Sequence, residues 1–472
     1  MNTLDPLDQY LQEKIPGNFF QKSSLFLLCF LVMANTCFMT IGGLVLPKVQ
    51  IQFKLTTSEI SIITGFSNAG SILGVIIANL LWQKVGPIRT LKFSLLIPFV
   101  YVVIIYYAQG FYFVLLAWII QTLCLGLGSI PIGVYLAETA PIKSRGRWTV
   151  AFGISACCGR VTSALLSYFL IHKDEIATWK HPLYVQAVLY GVVAIPIIFY
   201  FQESLRYLFA NKKFEELVAA INRIIKINQN KADNSALTDL ATLSELEAIS
   251  QMNSQNAEEK KTTLEQIKAL FSGKYASITI VLILFWISLI TQFAGLSMIL
   301  PYWFTDNDKT NEYLLIVLTY TSEYIAMGTI YFMIDNERFG RKKSMQIFGT
   351  MILVLFGASY FFENQLVVTG FFFLERYCMK SILILLCTYT TEIYPTHLRN
   401  IGMSLTDMSS SVLTIFLPFA VFFLFEWKKY SVIVLFFSSA ALLLFLSFFL
   451  WKDRTKRSLD LSKSLISTGE FA

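Results

Sequence analysis

Charge is what this sequence has least of. Of its 472 residues only 15% are Asp, Glu, Lys or Arg, against about 25% in a soluble globular protein. That leaves too little polar side chain to cover a water-exposed surface. Signatures of catalysis are missing too: there is no nucleophile–base motif, no HExxH and no P-loop. Neither an enzyme nor a resident cofactor is therefore expected. The seven cysteines (29, 37, 124, 157, 158, 378 and 387) all fall inside apolar runs and none shows metal-ligand spacing. They read as packing residues, so no metal is expected. There is no Asn-x-Ser/Thr sequon. The opening MNTLDPLDQYLQEK is acidic and polar, unlike a signal peptide or an Arg-rich transit peptide. The net charge of +7 has no soluble module large enough to present it to nucleic acid, which excludes that partner.

What the chain has in abundance is apolar surface. Hydrophobic residues make up 55% of it and Phe alone numbers 41. A membrane-spanning helix needs about 20 apolar residues. Runs of that kind lie near 24–46, 58–82, 90–108, 111–137, 146–171 and 182–202, and again near 275–304, 313–334, 343–362, 365–390, 402–425 and 430–451. The expectation is an all-α membrane protein of twelve spans, with the lipid bilayer as its solvent. Its parts are an N-terminal segment (1–23), a six-helix bundle (24–202), a helical linker (203–274), a second six-helix bundle (275–451) and a tail (452–472).

An even number of spans puts both termini and the linker on one side. The loops sharing that side hold Lys84, Arg89, Lys92, Lys143, Arg145, Arg147, Arg338, Arg341, Lys342, Lys343 and Arg399. The positive-inside rule makes it the cytoplasmic side. Within the linker, Phe214, Leu217, Val218, Ile221, Ile224 and Ile225 share one helical face. Thr262 and Glu265 form a capping-box pattern ahead of a second short helix.

The chain repeats itself. Glu138, Pro141 and Arg145 recur as Glu392, Pro395 and Arg399, an offset of 254 residues. Gly86 in WQKVGPIRTLK and Gly340 in NERFGRKKSMQ stand at the same offset. Two independent loops at one offset imply a duplicated six-helix unit in parallel orientation, an architecture of transporters that bind solute between the halves.

These residues also carry a resemblance. ERFGRKK (337–343) resembles the signature loop of the major facilitator superfamily. QESLRYL (202–208) is similar to the box that follows the sixth span of sugar porters and organic cation transporters. LTYTSEYIAMGTIYFMIDNERFGRKKSM (318–345) and QTLCLGLGSIPIGVYLAETAPIKSRGR (121–147) look most like the synaptic-vesicle-glycoprotein-related branch. The resemblance implies that the loop charges form a gate, closed in one state and broken in the other. Its members here are Lys84, Gly86, Arg89, Glu138, Arg145, Glu203, Arg206, Glu337, Arg338, Gly340, Arg341, Glu392 and Arg399. Each box Glu is expected to face the cations of its own half's Gly loop, with Glu392 on Arg341. A purely topological role for these charges is the competing reading. The N-terminal loop is eroded, with Gln83, Pro87 and Ile88 where the superfamily has an acid and two cations, so its gate is expected to be the weaker.

Ionisable residues inside spans are costly and are candidates for function. Arg160 lies in the fifth span, Glu323 near the centre of the eighth, Glu375, Arg376 and Lys380 in the tenth, and Asp407 in the first turns of the eleventh. Arg160 should face a cavity or pair with a carboxylate, and Glu323 is nearest in depth. A pair that merely orients helices is the other reading. QFAGLSMILPYWF (292–304) resembles the solute-lining seventh span of sugar porters, which implies Gln292, Tyr302 and Trp303 as ligand contacts. Trp303 fits an interfacial anchor equally well. The first-span acids and fourth-span Arg of the family are absent. Any proton coupling therefore falls to Glu323. The substrate-binding set is then Arg160, Gln292, Tyr302, Trp303, Glu323, Glu375 and Arg376, acting on a small polar organic solute, an organic ion or a sugar-like metabolite. The alternative function is a transport-inactive homologue serving as receptor or structural subunit, with protein partners.

Overall fold

In the computed structural model the apolar runs are long helices, and no strand occurs among the described residues. The structure describes residues 10, 19–139, 145–172, 175–229, 245, 263–273, 275–304, 311–333, 340–362, 364–394 and 396–450. The N-terminal half comprises α1 (Phe19–Phe53), α2 (Thr57–Val85), α3 (Pro87–Ser94), α4 (Ile97–Tyr106), α5 (Phe111–Thr139), α6 (Arg145–Leu170) and α7 (Lys180–Tyr200). The linker holds α8 (Leu205–Ala210), α9 (Phe214–Gln229) and α10 (Thr263–Leu270). The C-terminal half comprises α11 (Tyr275–Phe304), α12 (Glu312–Met333), α13 (Arg341–Ser359), α14 (Gln365–Ile393), α15 (Thr396–Trp427) and α16 (Ser431–Phe448).

Local chemistry sets where these helices begin and break. A reciprocal capping box opens α2: Glu59 N–H donates to Thr56 Oγ1 at 3.3 Å and Thr56 N–H donates to Glu59 Oε2 at 2.8 Å. The third span is split into α3 and α4. Pro98 lacks the N–H that would bond the Ser94 carbonyl, and that carbonyl instead accepts from Cys124 Sγ at 3.2 Å. Among the described residues ten spans are long and apolar enough to cross a bilayer on hydropathy alone, α3 and α4 together counting as one. The other two, α13 and α14, begin with Arg341, Lys342 and Lys343 or carry Glu375, Arg376 and Lys380. Large apolar side chains such as Phe26, Leu80, Val103, Phe199, Phe332 and Phe416 point outward, as a lipid-facing surface requires.

The two halves pack by one scheme. In the first, α1 lies against α6 and α2 against α5; in the second, α11 lies against α15 and α12 against α14. Among the described residues the halves meet chiefly where α2 lies on α15, α6 on α12 and α1 on α11. Close approach along the first of these depends on Gly65, where a Cβ would stand 2.6 Å from the Ile415 carbonyl oxygen. The linker helices form a small core of their own. Leu217, Ile221 and Ile225 of α9 are buried with Tyr207 and Leu208 of α8, and Trp82 of α2 packs on them. Asn228 then ties α9 to the start of α1, accepting from Phe20 N–H at 2.8 Å. Thr262 lies outside the described residues, as do most of the N-terminal segment and the tail.

Candidate functional site

Glu323 lies at the middle of α12 and is fully buried. Three cations converge on it. From the N-terminal half, Arg160 of α6 donates from Nη1 to Glu323 Oε2 at 2.8 Å. From α14, Arg376 donates from Nε to Glu323 Oε1 at 2.9 Å, and Lys380 Nζ lies 3.4 Å from Oε2. The thiol of Cys157, one turn before Arg160, donates to the same Oε2 at 3.4 Å. The spacing explains the convergence. Arg376 and Lys380 are four residues apart and so share a helical face, as do Cys157 and Arg160 at three.

Arg376 is the most constrained member. Its guanidinium is sandwiched between the rings of Tyr320, at 4.5 Å, and Phe293, at 4.7 Å. Its Nη1 donates to Ser297 Oγ at 2.9 Å, and its side chain is 1% exposed. Arg160 is 19% exposed and lies 5.6 Å from the Phe293 ring. Breaking a buried pair of this kind is strongly destabilising, because the remaining charge is left without compensation. The pair bridges the two halves of the molecule, so it also couples their relative position to its own integrity.

The site built by the structure differs in part from the one expected. Gln292 is fully buried and turned into the C-terminal half, with Nε2 donating to the Ser288 carbonyl at 3.1 Å and to Ser439 Oγ of α16 at 3.4 Å. Trp303 packs edge-on to Phe372 and Tyr430, and Lys429 Nζ stands 5.0 Å over its ring. In this conformation both side chains pack within the C-terminal half and not into the Glu323 cluster. Tyr302 joins the same aromatic group through Phe422 and Phe425, its hydroxyl buried without a hydrogen bond among the described residues. Glu375 is fully buried and neither carboxylate oxygen has a hydrogen-bond partner among the described residues. It sits beside Arg376 in sequence but one-quarter turn round the helix, outside the cluster. Asp407, expected in the first turns of its helix, lies about three turns inside α15 because that helix starts at Thr396. Phe293, Tyr320, Ser297 and Cys157 belong to the site and were not expected there. Phe293 and Ser297 fall in the 292–304 stretch that resembles a solute-lining span, whereas Tyr320 and Cys157 were marked only by helical spacing from the charged residues.

The loop charges follow two different designs. In the C-terminal half Arg341 Nη2 donates to Glu392 Oε1 at 2.9 Å, with Arg341 7% exposed. In the N-terminal half Glu203 accepts from the backbone N–H groups of Ile88, at 2.9 Å, and Arg89, at 3.1 Å. It thereby caps α3 immediately after Gly86, whose φ of 102° and contact with the Glu203 carboxylate leave no room for a side chain. Arg89 pairs with Glu216 of α9 at 2.8 Å, both half-exposed. This corrects the expectation that it would face Glu138, which lies half-buried at the end of α5. Lys84 is exposed in the last turn of α2, and Arg206 is exposed on α8. Glu337 and Arg338 lie outside the described residues, as do the side chains of Arg145 and Arg399. A cavity of about 550 Å³ opens in this region, lined by Arg89, Lys92, Glu203, Glu216 and Arg223. It is a groove between the linker and the first half, remote from the intramembrane charges.

A family model described as sugar (and other) transporter matches residues 44–461. The synaptic vesicle 2-related protein of Xenopus laevis is 24% identical over 86% of this chain and 73% of its own length. The organic cation/carnitine transporter 7 of Arabidopsis thaliana is 23% identical over 81% of this chain and 82% of its own. Among solved structures, the inward open xylose transporter XylE from E. coli superposes with a TM-score of 0.67. That match covers 94% of this chain and 99% of the other at 14% identity, a likeness of fold.

Proposed function

We propose that this chain, which belongs to the sugar (and other) transporter family of the major facilitator superfamily, moves its small polar organic solute by alternating access around the Arg160–Glu323–Arg376 cluster. The chain is a multi-pass membrane transporter, and that much is the premise. The observation that carries the mechanism is the ion pair between Arg160 of one half and Glu323 of the other, buried at mid-span. A rocking motion of one half against the other has to stretch or exchange that bond, which makes it a two-position element of the kind such transport requires.

Three further parts belong to the same reading. The termini and linker face the cytoplasm, by the charge asymmetry of the loops. Arg341–Glu392 and the Glu203-capped helix fasten the cytoplasmic ends of the helices and exchange partners as the gate opens. Asn68 Nδ2 of α2 donates to the Thr414 carbonyl of α15 at 2.7 Å, closing the second seam. Flux of labelled organic ions and sugars into proteoliposomes holding the full chain tests the reading. At least one solute is expected to enter saturably, and Arg160→Gln to reduce entry by tenfold or more, on the order of a lost charge-assisted bond. Equal flux in an Arg160→Ala/Glu323→Ala double variant would overturn it.

A further inference from the structure

The cluster is unbalanced. Three cations, Arg160, Arg376 and Lys380, meet one carboxylate, Glu323. Glu375 does not redress this: it makes no ion pair among the described residues, and even counted as charged it leaves cations outnumbering carboxylates three to two. Asp407 is exposed on α15 and joins none of the three cations among the described residues. Excess positive charge in a membrane interior is expensive, and an incoming anion relieves it where an incoming cation would add to it.

Donor and acceptor capacity point the same way. Both oxygens of Glu323 are occupied, Oε1 by Arg376 and Oε2 by Arg160, Lys380 and Cys157. A cationic solute would find no free acceptor there. Arg160 by contrast spends one of its five N–H groups on Glu323, makes no other guanidinium hydrogen bond among the described residues, and remains 19% exposed. Lys380 is held at 3.4 Å and is 8% exposed. Arg376 is held by Glu323, Ser297 and two aromatic rings and is 1% exposed, while the other two keep open donors. We infer, resting on the transport reading above, that the cluster takes an organic anion whose carboxylate or phosphate group is seated between Arg160 and Lys380. On binding, the anion takes Arg160 from Glu323 and so substitutes for the bond that spans the two halves.

Three probes of nearly one shape separate the possibilities: benzoate, benzamide and benzamidinium differ in charge and little else. The full chain is purified in a neutral detergent, and its unfolding temperature is followed as each probe is titrated. Phenyl phosphate and phosphatidylglycerol are titrated separately. Benzoate or phenyl phosphate is expected to raise the unfolding temperature saturably, with benzamide and benzamidinium inert. Arg160→Gln and Lys380→Gln should each weaken the anion's apparent affinity at least about tenfold. Arg160→Lys, which keeps charge without the fork, should lose less. Glu323→Gln should tighten it, since the competing carboxylate is gone. A shift with benzamidinium or benzamide as large as with benzoate overturns the inference. So does an unchanged benzoate response in both Gln variants at 160 and 380. A response to phosphatidylglycerol alone overturns it in favour of a lipid headgroup. The same panel in the flux assay keeps the two readings apart. Entry of a neutral or cationic probe with anions excluded sinks the anion inference and leaves transport standing. Charge-selective binding without flux of any solute sinks transport and leaves the anion site.

Discussion

Across one seam of the molecule Asn68 donates to the backbone of Thr414; across the other, Glu323 receives Arg160. These are corresponding places. Thr414 stands 254 residues after Arg160, and Ser322, next to Glu323, stands 254 after Asn68, the offset of the internal repeat. Inside the halves the same contrast returns. Glu375, Arg376 and Lys380 of α14 correspond to Gln121, Thr122 and Gly126 of α5. In α5 these are neutral: Gln121 and Thr122 donate to the carbonyls of Phe38 and Ser67. Gly126 lies so close to the Ser71 carbonyl that no Cβ fits. One backbone frame thus supports tight neutral packing in the first half and a charged cluster in the second. The duplicated fold dictates where polar side chains can meet, and the residues at those points decide which half carries the chemistry. Arg160 is the single charge that the first half contributes to the site.

The largest expected effect comes from the cluster's centre. Glu323→Ala leaves three cations without their carboxylate and should cost about 3–5 kcal/mol of stability. Asn68→Ala at the corresponding seam removes one hydrogen bond and should cost about 1 kcal/mol. Thermal unfolding of both variants in one detergent checks the ratio, and equal costs would mean that the two seams are energetically alike. Next in size is a pair of glycines. Gly74 of α2 touches Leu123 and Gly126 of α5, so Gly74→Ala forces two helices apart, at about 1–3 kcal/mol. Its counterpart Gly328 has no packing neighbour among the described residues within 4 Å of where a Cβ would stand. Gly328→Ala should therefore be neutral or stabilising by up to about 1 kcal/mol through helix propensity. A smaller effect is expected at Glu375, whose buried oxygens lack partners among the described residues. Glu375→Met removes that unsatisfied group and should stabilise by about 1–2 kcal/mol, with anion binding retained because the side chain stands outside the cluster.

Much of this architecture was legible before any coordinates. Hydropathy counts, loop charge and a fixed offset depend on the chain alone, and they yield twelve spans, two halves and a linker. The Arg160–Glu323 pair was legible as well, because depth in the membrane follows from position along a helix and a lone buried charge needs a partner. What escaped is rotation about the helix axis. Gln292 and Trp303 stand at suitable depths but point into α16 and an aromatic group. Phe293, one residue from Gln292, points at the charges instead. A step of one residue turns a side chain by about 100°, and in spans that are apolar all round no hydrophobic stripe marks the inward face. The capping role of Glu203 was hidden for another reason: its partners are backbone N–H groups, which leave no trace in residue identity.

That last point separates the two Gly loops and gives the smallest, sharpest comparison. At the C-terminal loop the guanidinium of Arg341 is a partner of Glu392, so reversing both charges preserves that attraction. At the N-terminal loop the partners of Glu203 are the amides of Ile88 and Arg89 at the start of α3. No side-chain exchange can restore those. Arg341→Glu and Glu392→Arg should each reduce stability by about 1 kcal/mol, with the double variant recovering at least half through the pair's coupling. Glu203→Gln keeps an acceptor and loses only the charge at the helix N-terminus, a cost of about 0.3–1 kcal/mol. Glu203→Arg should cost more, and adding Arg89→Glu should recover none of it. A double-mutant cycle by thermal unfolding reads all of these together. Rescue at both loops would show that the first half, like the second, is fastened by side-chain charge, and the asymmetry would then be confined to the intramembrane cluster. Rescue at the C-terminal loop alone places the difference between backbone capping and ion pairing at the two Gly loops themselves.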